Sequence, residues 1–197
     1  MRERVKNILM QPRGEWEVIA REPSTIGGLY RGYVAPLAAT GPIAAMVGQS
    51  LVGFSVPGLG RYRVPLGNAL VQAIVTYVLG LAAVYVLAMV IDALAPRFEG
   101  HKDPEQAFKL AAYSSTAAWL AGVFALVPAL GFLSILGLYS LYLLYLGVPV
   151  VMKVPESRVL PYTAAVVVAA LVIFFIVAAI GGVLMPSPVA MPGPTPR

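Results

Sequence analysis

The chain has 197 residues, of which 59% are hydrophobic and 12% charged, with a mean hydropathy of +0.81 and a formal net charge of +5. Ordinary soluble domains are about a quarter charged, so lipid rather than water is the solvent that fits. The lack of cysteine excludes disulfides and thiol chemistry, and the single histidine, His101, excludes a multi-histidine metal site within one chain.

Residues 1–33 are the most polar part of the chain. At 100° per residue Val5, Ile8, Leu9, Trp16, Ile19 and Ala20 share one face, and Arg4, Lys6, Arg13, Glu15, Glu17 and Arg21 avoid its centre. Pro12 splits the segment into two short helices. Two readings stand together here. One is a basic amphipathic anchor at the membrane interface, with Trp16 in the lipid and Arg4, Lys6 and Arg13 at the headgroups. The other is a pair of helices packed on the protein's own cytoplasmic loops. Three basic residues precede Met10 but no apolar run follows them, so the first spanning helix is expected to act as its own insertion signal.

Five apolar runs follow, at about 34–54, 66–95, 107–127, 132–152 and 162–185. Each is about 20 residues or longer, and about 20 residues of helix cross a hydrocarbon core of roughly 30 Å. Gly41-Pro42 should kink the first run, and Pro96 ends the second. A loop at Ser55–Pro65 joins these two. Asp103 is placed to cap the third run, with Pro104 in its first turn. Only Pro128–Gly131 separates the third run from the fourth, so the two form an antiparallel hairpin. The proline-rich tail, 186–197, is expected to be disordered. The fold class is therefore all-α: a bundle of five transmembrane helices, 34–185, behind an N-terminal cytoplasmic amphipathic segment.

Charge sets the orientation. With the N-terminus inside, the inner segments hold Arg2, Arg4, Lys6, Arg13, Arg21, Arg31, Arg97, Lys102, Lys109, Lys153 and Arg158, eleven of the 14 basic residues. The outer segments hold Arg61, Arg63 and Arg197. The basic balance thus reads as an attraction to anionic lipid, and no groove-reading module for nucleic acid is present.

Polar residues inside the runs are the candidate functional groups. Asp92 is the one carboxylate in a spanning run, and it lies about one turn from Pro96. Lys109 is its expected partner across the 96–106 loop, with Lys153 next. The pair is either a structural anchor or a proton or ligand site. Asn68, Gln72 and Thr76 recur every four residues on one stripe, level with Gln49 and Ser50, as interhelical hydrogen bonds or a polar vestibule. Tyr113, Ser114, Ser115 and Thr116 form a belt whose hydroxyls can bond back to their own helix. Tyr139, Tyr142 and Tyr145 read as packing residues. No nucleophile with a base at workable spacing, no phosphate-cradling loop and no metal or cofactor motif is present.

Several strings taken together carry a resemblance: ILMQPRGEWEVIAREP with LYRGYVAPLAA, IDALAPRFEGHKDPEQAFKLAAYSSTAAWLAG, and LYSLYLLYLGVPVVMKVPESRVLPYT. Over roughly 1–182 the chain resembles bacterial Yip-domain proteins, of the Ypt/Rab-interacting membrane family. The resemblance implies five transmembrane helices and a cytoplasmic N-terminus. Bacterial members commonly carry a proline after the AYS(x)T run; here that position is Ala117, so the usual kink is expected to be missing. Eukaryotic relatives bind Rab GTPases through a longer N-terminal region with an acidic motif that this chain lacks. The expected function is that of a non-enzymatic inner-membrane protein with membrane lipids, a cytoplasmic protein partner or a second copy of itself as partners. The alternative is a small oligomeric transporter or channel using Gly41-Pro42, the Asn68/Gln72/Thr76 stripe and Asp92.

Overall fold

A computed structural model describes residues 1–56 and 60–184, with only the backbone described at 54–56 and 60–62. The expected tail, 186–197, and the Arg61 side chain lie outside what is described. The N-terminal segment forms α1 (Arg2–Met10) and α2 (Pro12–Arg21). Gln11 is the joint between them, and Pro12 takes the first turn of α2, where a missing N–H costs nothing.

The third helical stretch, α3 (Ile26–Val52), begins eight residues before the expected span. Thr25 starts it by accepting a hydrogen bond from the Gly28 N–H at 3.1 Å. It is not a uniform helix. A wider turn at Tyr30–Val34 precedes Pro36, which cannot donate to the ladder. The break that Gly41-Pro42 led us to expect falls at Ala39. There the Thr40 hydroxyl lies 2.7 Å from the Leu37 carbonyl and 2.8 Å from that of Trp119, so a freed turn is repaired locally and tied to a neighbour. The expected loop after α3 contains a short antiparallel ribbon, β1 (Phe54–Val56) and β2 (Gly60–Tyr62), with Phe54 opposite Tyr62.

The longest elements are α4 (Leu66–Leu94) and α8 (Glu156–Leu184), each of 29 residues. At 1.5 Å per residue each reaches roughly 43 Å, longer than the hydrocarbon core. Leu70, Val71, Ile74, Val78, Val86 and Met89 on α4, and Val168, Leu171, Phe174, Phe175 and Ile176 on α8, are exposed. In water such faces would be untenable; against acyl chains they need no cover.

Between these helices lies the hairpin, and its first arm differs from the expected single span at 107–127. It consists of α5 (Pro104–Ser114), a break at Ser115, α6 (Thr116–Ala121) and a tight 3-10 run at Gly122–Leu126. The break occurs although residue 117 is alanine rather than proline, so the expected loss of the kink is corrected. Three hydroxyls bond back to the helix beside the remaining backbone bonds: Ser115 donates to Ala111 O at 2.8 Å, Ser114 to the same carbonyl at 3.3 Å, and Thr116 to Tyr113 O at 2.7 Å, while the Ser115 N–H still reaches Ala111 O at 3.3 Å. The chain turns at Val127, in extended geometry, one residue before the expected Pro128–Gly131 turn. It returns as α7 (Pro128–Val151), of 3-10 form up to Leu138 and α-helical from Tyr139. The arms pack antiparallel, α5 on the second half of α7 and α6 on its first half.

Among the described residues, four stretches are long and apolar enough to cross a membrane: Ile26–Val52, Leu66–Phe98, Pro128–Val151 and Glu156–Leu184. The arm 104–126 is not one of them, and its residues 107–114 are all buried within the protein rather than turned to lipid. Close backbone approaches hold it against α3. A Cβ on Gly48 would sit 2.2 Å from the Ala125 carbonyl oxygen, and one on Gly122 would sit 2.8 Å from the Gly41 Cα.

The packed core lies at one end, where α2 packs on α5 and the second half of α7, and α4 and α8 pack beside these. The charged loops meet at that same end. His101 N–H donates to the Met152 carbonyl at 2.8 Å, and Arg158 reaches Glu99 at 3.2 Å.

Candidate functional site

Helix α2 is held by its own unpaired carbonyls. The last turn of a helix leaves acceptors without partners and carries a partial negative charge. Side chains from α5 reach across to these groups. The Lys109 ammonium donates to Ile19 O at 3.1 Å and to Glu22 O at 2.6 Å, and the Gln106 amide donates to Ala20 O at 3.0 Å. Lys109 is thus a cap for α2, and its expected pairing with Asp92 is corrected. The residue is 4% exposed, and two carbonyls together with the helix dipole offset the burial of its charge.

The apolar face of the cap is spent on protein. Trp16 is fully buried, edge-on to Tyr113 with ring centroids 6.3 Å apart. It occupies a hollow that exists because residue 147 is glycine, where a Cβ would lie 2.7 Å from the indole. Ile8 and Ile19 are buried beside it. Of the two readings of this segment, packing on the protein itself is the one observed, and Trp16 as a lipid anchor is corrected.

Arg4 is likewise turned inward rather than placed at headgroups. Its guanidinium reaches Glu15 at 2.5 Å, also pairs with Glu22, and lies 5.9 Å from the Tyr113 ring centre. Burial opposes its charge, but the hydrogen bond with Glu15 and the two carboxylates outweigh this and hold its pKa above the ordinary arginine value. Lys6 and Arg13 alone of the expected anchors remain exposed. Below the cap, Tyr33 packs at a tilt against Tyr113, ring centroids 4.6 Å apart, and its hydroxyl lies 2.8 Å from that of Thr116. Thr116 spends its own proton on Tyr113 O, so Tyr33 is the donor.

Asp92 sits apart from this network. Its partner is Lys102, at 4.0 Å, and not Lys109 or Lys153. Its second oxygen, Oδ1, is buried and has no hydrogen-bond partner among the described residues. The carboxylate lines a cavity of about 360 Å³ with Ile26, Tyr85, Ala88, Met89, Ala93, Lys102, Pro104 and Phe108. A second cavity, about 260 Å³, lies between α3 and α4 toward the other end, and there Gln72 and Thr76 meet Gln49 beside Gly41-Pro42. The stripe therefore does converge in part, without Asn68 in the lining. The two cavities share no lining residue.

Sequence reasoning missed the roles of Lys102, Glu15, Glu22 and Tyr33, and it read Gly147 only as a glycine that permits close helix approach. Glu15 was read as lying off the apolar face, and only the turn between α1 and α2 brings Arg4 to it and to Glu22. For Lys102 a signal existed, a cation in the loop directly after Asp92. For Gly147 there was none beyond its small size.

Residues 6–179 match the Yip1 domain, and the chain belongs to the Yip1-domain family. It is also similar to the inner membrane protein YohC of Escherichia coli K12, 27% identical over 165 residues that cover 82% of this chain and 85% of that protein. The YohC protein of Escherichia coli O6:H1 is similar to the same extent. No solved structure matches.

Proposed function

From its place in the Yip1-domain family we propose that this chain is a non-enzymatic protein of the bacterial inner membrane, working through lipid or protein partners in membrane organisation or a trafficking-like role. The observation that carries this is the cap. Helix α2 is fastened to the bundle through its last backbone carbonyls, and a partly buried ion pair, Arg4–Glu15, ties α1 to α2. That leaves Lys6, Arg13, Glu17 and Arg21 exposed as a charged outer face. A surface so fixed is suited to being recognised. Its mixed charge suits it to water rather than lipid.

We further propose that 104–126 completes a fifth crossing, with the N-terminus inside and the C-terminus outside. The backbone approaches at Gly41, Gly48 and Gly122 run it alongside α3, and the basic residues gather at the capped end. The natural chain has no cysteine, so single introduced cysteines report topology cleanly. Arg13→Cys should be labelled from the cytoplasmic side and Gly182→Cys from the opposite side. Labelling of both from one side means four crossings and removes the proposal. For function, crosslinking from the cap surface should return reproducible partners, and their loss on reversing the charges at Lys6 and Arg13 would tie them to this face. No partner under any condition would count against the reading.

The cavity at Gln49, Gln72 and Thr76 favours the second reading, an oligomeric transporter or channel. Solute flux in proteoliposomes that Gln72→Leu abolishes would establish it, and absence of flux for ions and common solutes would dismiss it.

A further inference from the structure

The cavity at Asp92 has a polar end and an apolar approach. On α4, Ile74, Val78, Tyr85 and Met89 lie at helical spacing on one face, and all four are exposed. This stripe runs along the lipid-facing side of the helix and enters the cavity at Tyr85 and Met89, which line it. Asp92 follows one turn further on, with Lys102 across from it. An acyl chain lying on the stripe would thus bring its headgroup to one anion and one cation.

The ion pair already present is incomplete. Lys102 is 63% exposed at its side chain and reaches only one Asp92 oxygen, at the 4.0 Å limit of an ion pair. The other oxygen is buried without a donor, in a residue that is 9% exposed. A buried acceptor without a partner is costly, and a buried carboxylate more so. What the site lacks is a compact group with several N–H donors. What Lys102 lacks is an anion within reach from the exposed side. The cavity volume, about 360 Å³, falls at the lower end of the range for small-ligand sites, ~300–1,000 Å³.

We propose that this cavity binds the headgroup of a phospholipid bearing a primary amine, phosphatidylethanolamine. Its ammonium satisfies Asp92, its phosphate meets Lys102, and one acyl chain lies along Ile74, Val78, Tyr85 and Met89. The charge order selects among lipids. A glycerol headgroup offers no cation to Asp92. A choline headgroup carries the charge but has no N–H to give the buried oxygen. The inference rests on the reading of the chain as a membrane protein with lipid or protein partners, and it names the lipid class.

The test uses the full chain in nanodiscs of equimolar dioleoyl phosphatidylethanolamine, phosphatidylcholine and phosphatidylglycerol, with retained lipid counted by native mass spectrometry after gentle extraction. The wild type should retain the ethanolamine lipid about tenfold over the choline lipid, the factor expected of one charge-assisted hydrogen bond. Asp92→Asn should bring that ratio to the bulk value, Lys102→Gln should lower retention of all phospholipids, and Met89→Trp should empty the cavity without touching charge. Unchanged amide exchange in α2 shows that each variant is folded. A wild-type ratio at the bulk value, a ratio unaffected by Asp92→Asn, or preferential retention of the glycerol lipid overturns the proposal. Partner capture at the cap is measured separately, so failure there with the lipid still retained rejects the broader reading and leaves this one standing.

Discussion

Replacing Lys109 by methionine separates the observed role of this residue from the one its sequence position suggests. Methionine keeps most of the apolar stem and removes the ammonium, so packing around α5 changes little. Two hydrogen bonds from a charged donor are lost, at 3.1 Å to Ile19 O and 2.6 Å to Glu22 O. Bonds of this kind contribute roughly 1.5–3 kcal/mol each, while the variant is relieved of burying a charge. The net loss should be about 2 kcal/mol, felt by the cap rather than by the bundle. That corresponds to roughly thirtyfold faster local opening. Amide exchange across Pro12–Arg21 is the assay, with α8 as the internal standard. Asp92→Asn should leave α2 protection as it was, since Asp92 pairs with Lys102. Unchanged exchange in Lys109→Met, or equal loss in both variants, would refute the capping role and restore an Asp92–Lys109 contact.

Trp16→Ala should destabilise the cap by about 3–5 kcal/mol, read as protease cleavage between α1 and α2 in the intact membrane protein. Gly48→Val places a side chain 2.2 Å from a backbone oxygen that no rotamer change can move, and should cost at least ~1–3 kcal/mol in a denaturant titration. Gly14→Ala meets nothing within 4 Å and should stabilise α2 by roughly 0.5–1 kcal/mol, seen as slower exchange there. Ala117→Pro falls in the first turn of α6 and should cost far less than the ~3 kcal/mol of Ala112→Pro in α5. Equal losses in a thermal melt would mean the arm behaves as one helix.

The membrane setting was legible because hydrophobic length is a local property: α4 follows its apolar run closely, while α8 begins at Glu156, six residues before its run, and takes in Pro161 from the expected loop. The cap of Asp103 on α5 was legible for the same reason, since a capping residue and its proline declare themselves within four positions. The broken arm at 104–126 was not. Its break depends on hydroxyls that serve either a continuous helix or an interrupted one, and the choice is made by packing against α3. Proline at the next position would have declared a break; Ala117 hid it. The amphipathic face of α1 and α2 was visible in full, but amphipathicity does not say whether lipid or protein covers it. Gly147 decided that, about 130 residues away in sequence, by leaving room for one indole.

Polar groups on α4 bear on the choice between platform and conduit. Thr76 and Asp92 are sixteen residues apart, roughly 24 Å of helix. Between them the helix uses its polar contacts to lock itself to α3: Tyr77 donates to Ala35 O at 3.2 Å, and Tyr30 donates to Leu81 O at 2.5 Å. Val84 and Ala88 are buried in the stretch that follows. An ion passing there would leave water for a packed apolar contact, at a cost of at least ~2.5 kcal/mol even on the most lenient scale. A conduit through one chain would have to break those locks, whereas a lipid reaching Asp92 from the side breaks none. Charge at the end of α4 with sealed packing above it is what a headgroup site requires. The carboxylate is therefore better explained by lateral approach than by passage through the chain.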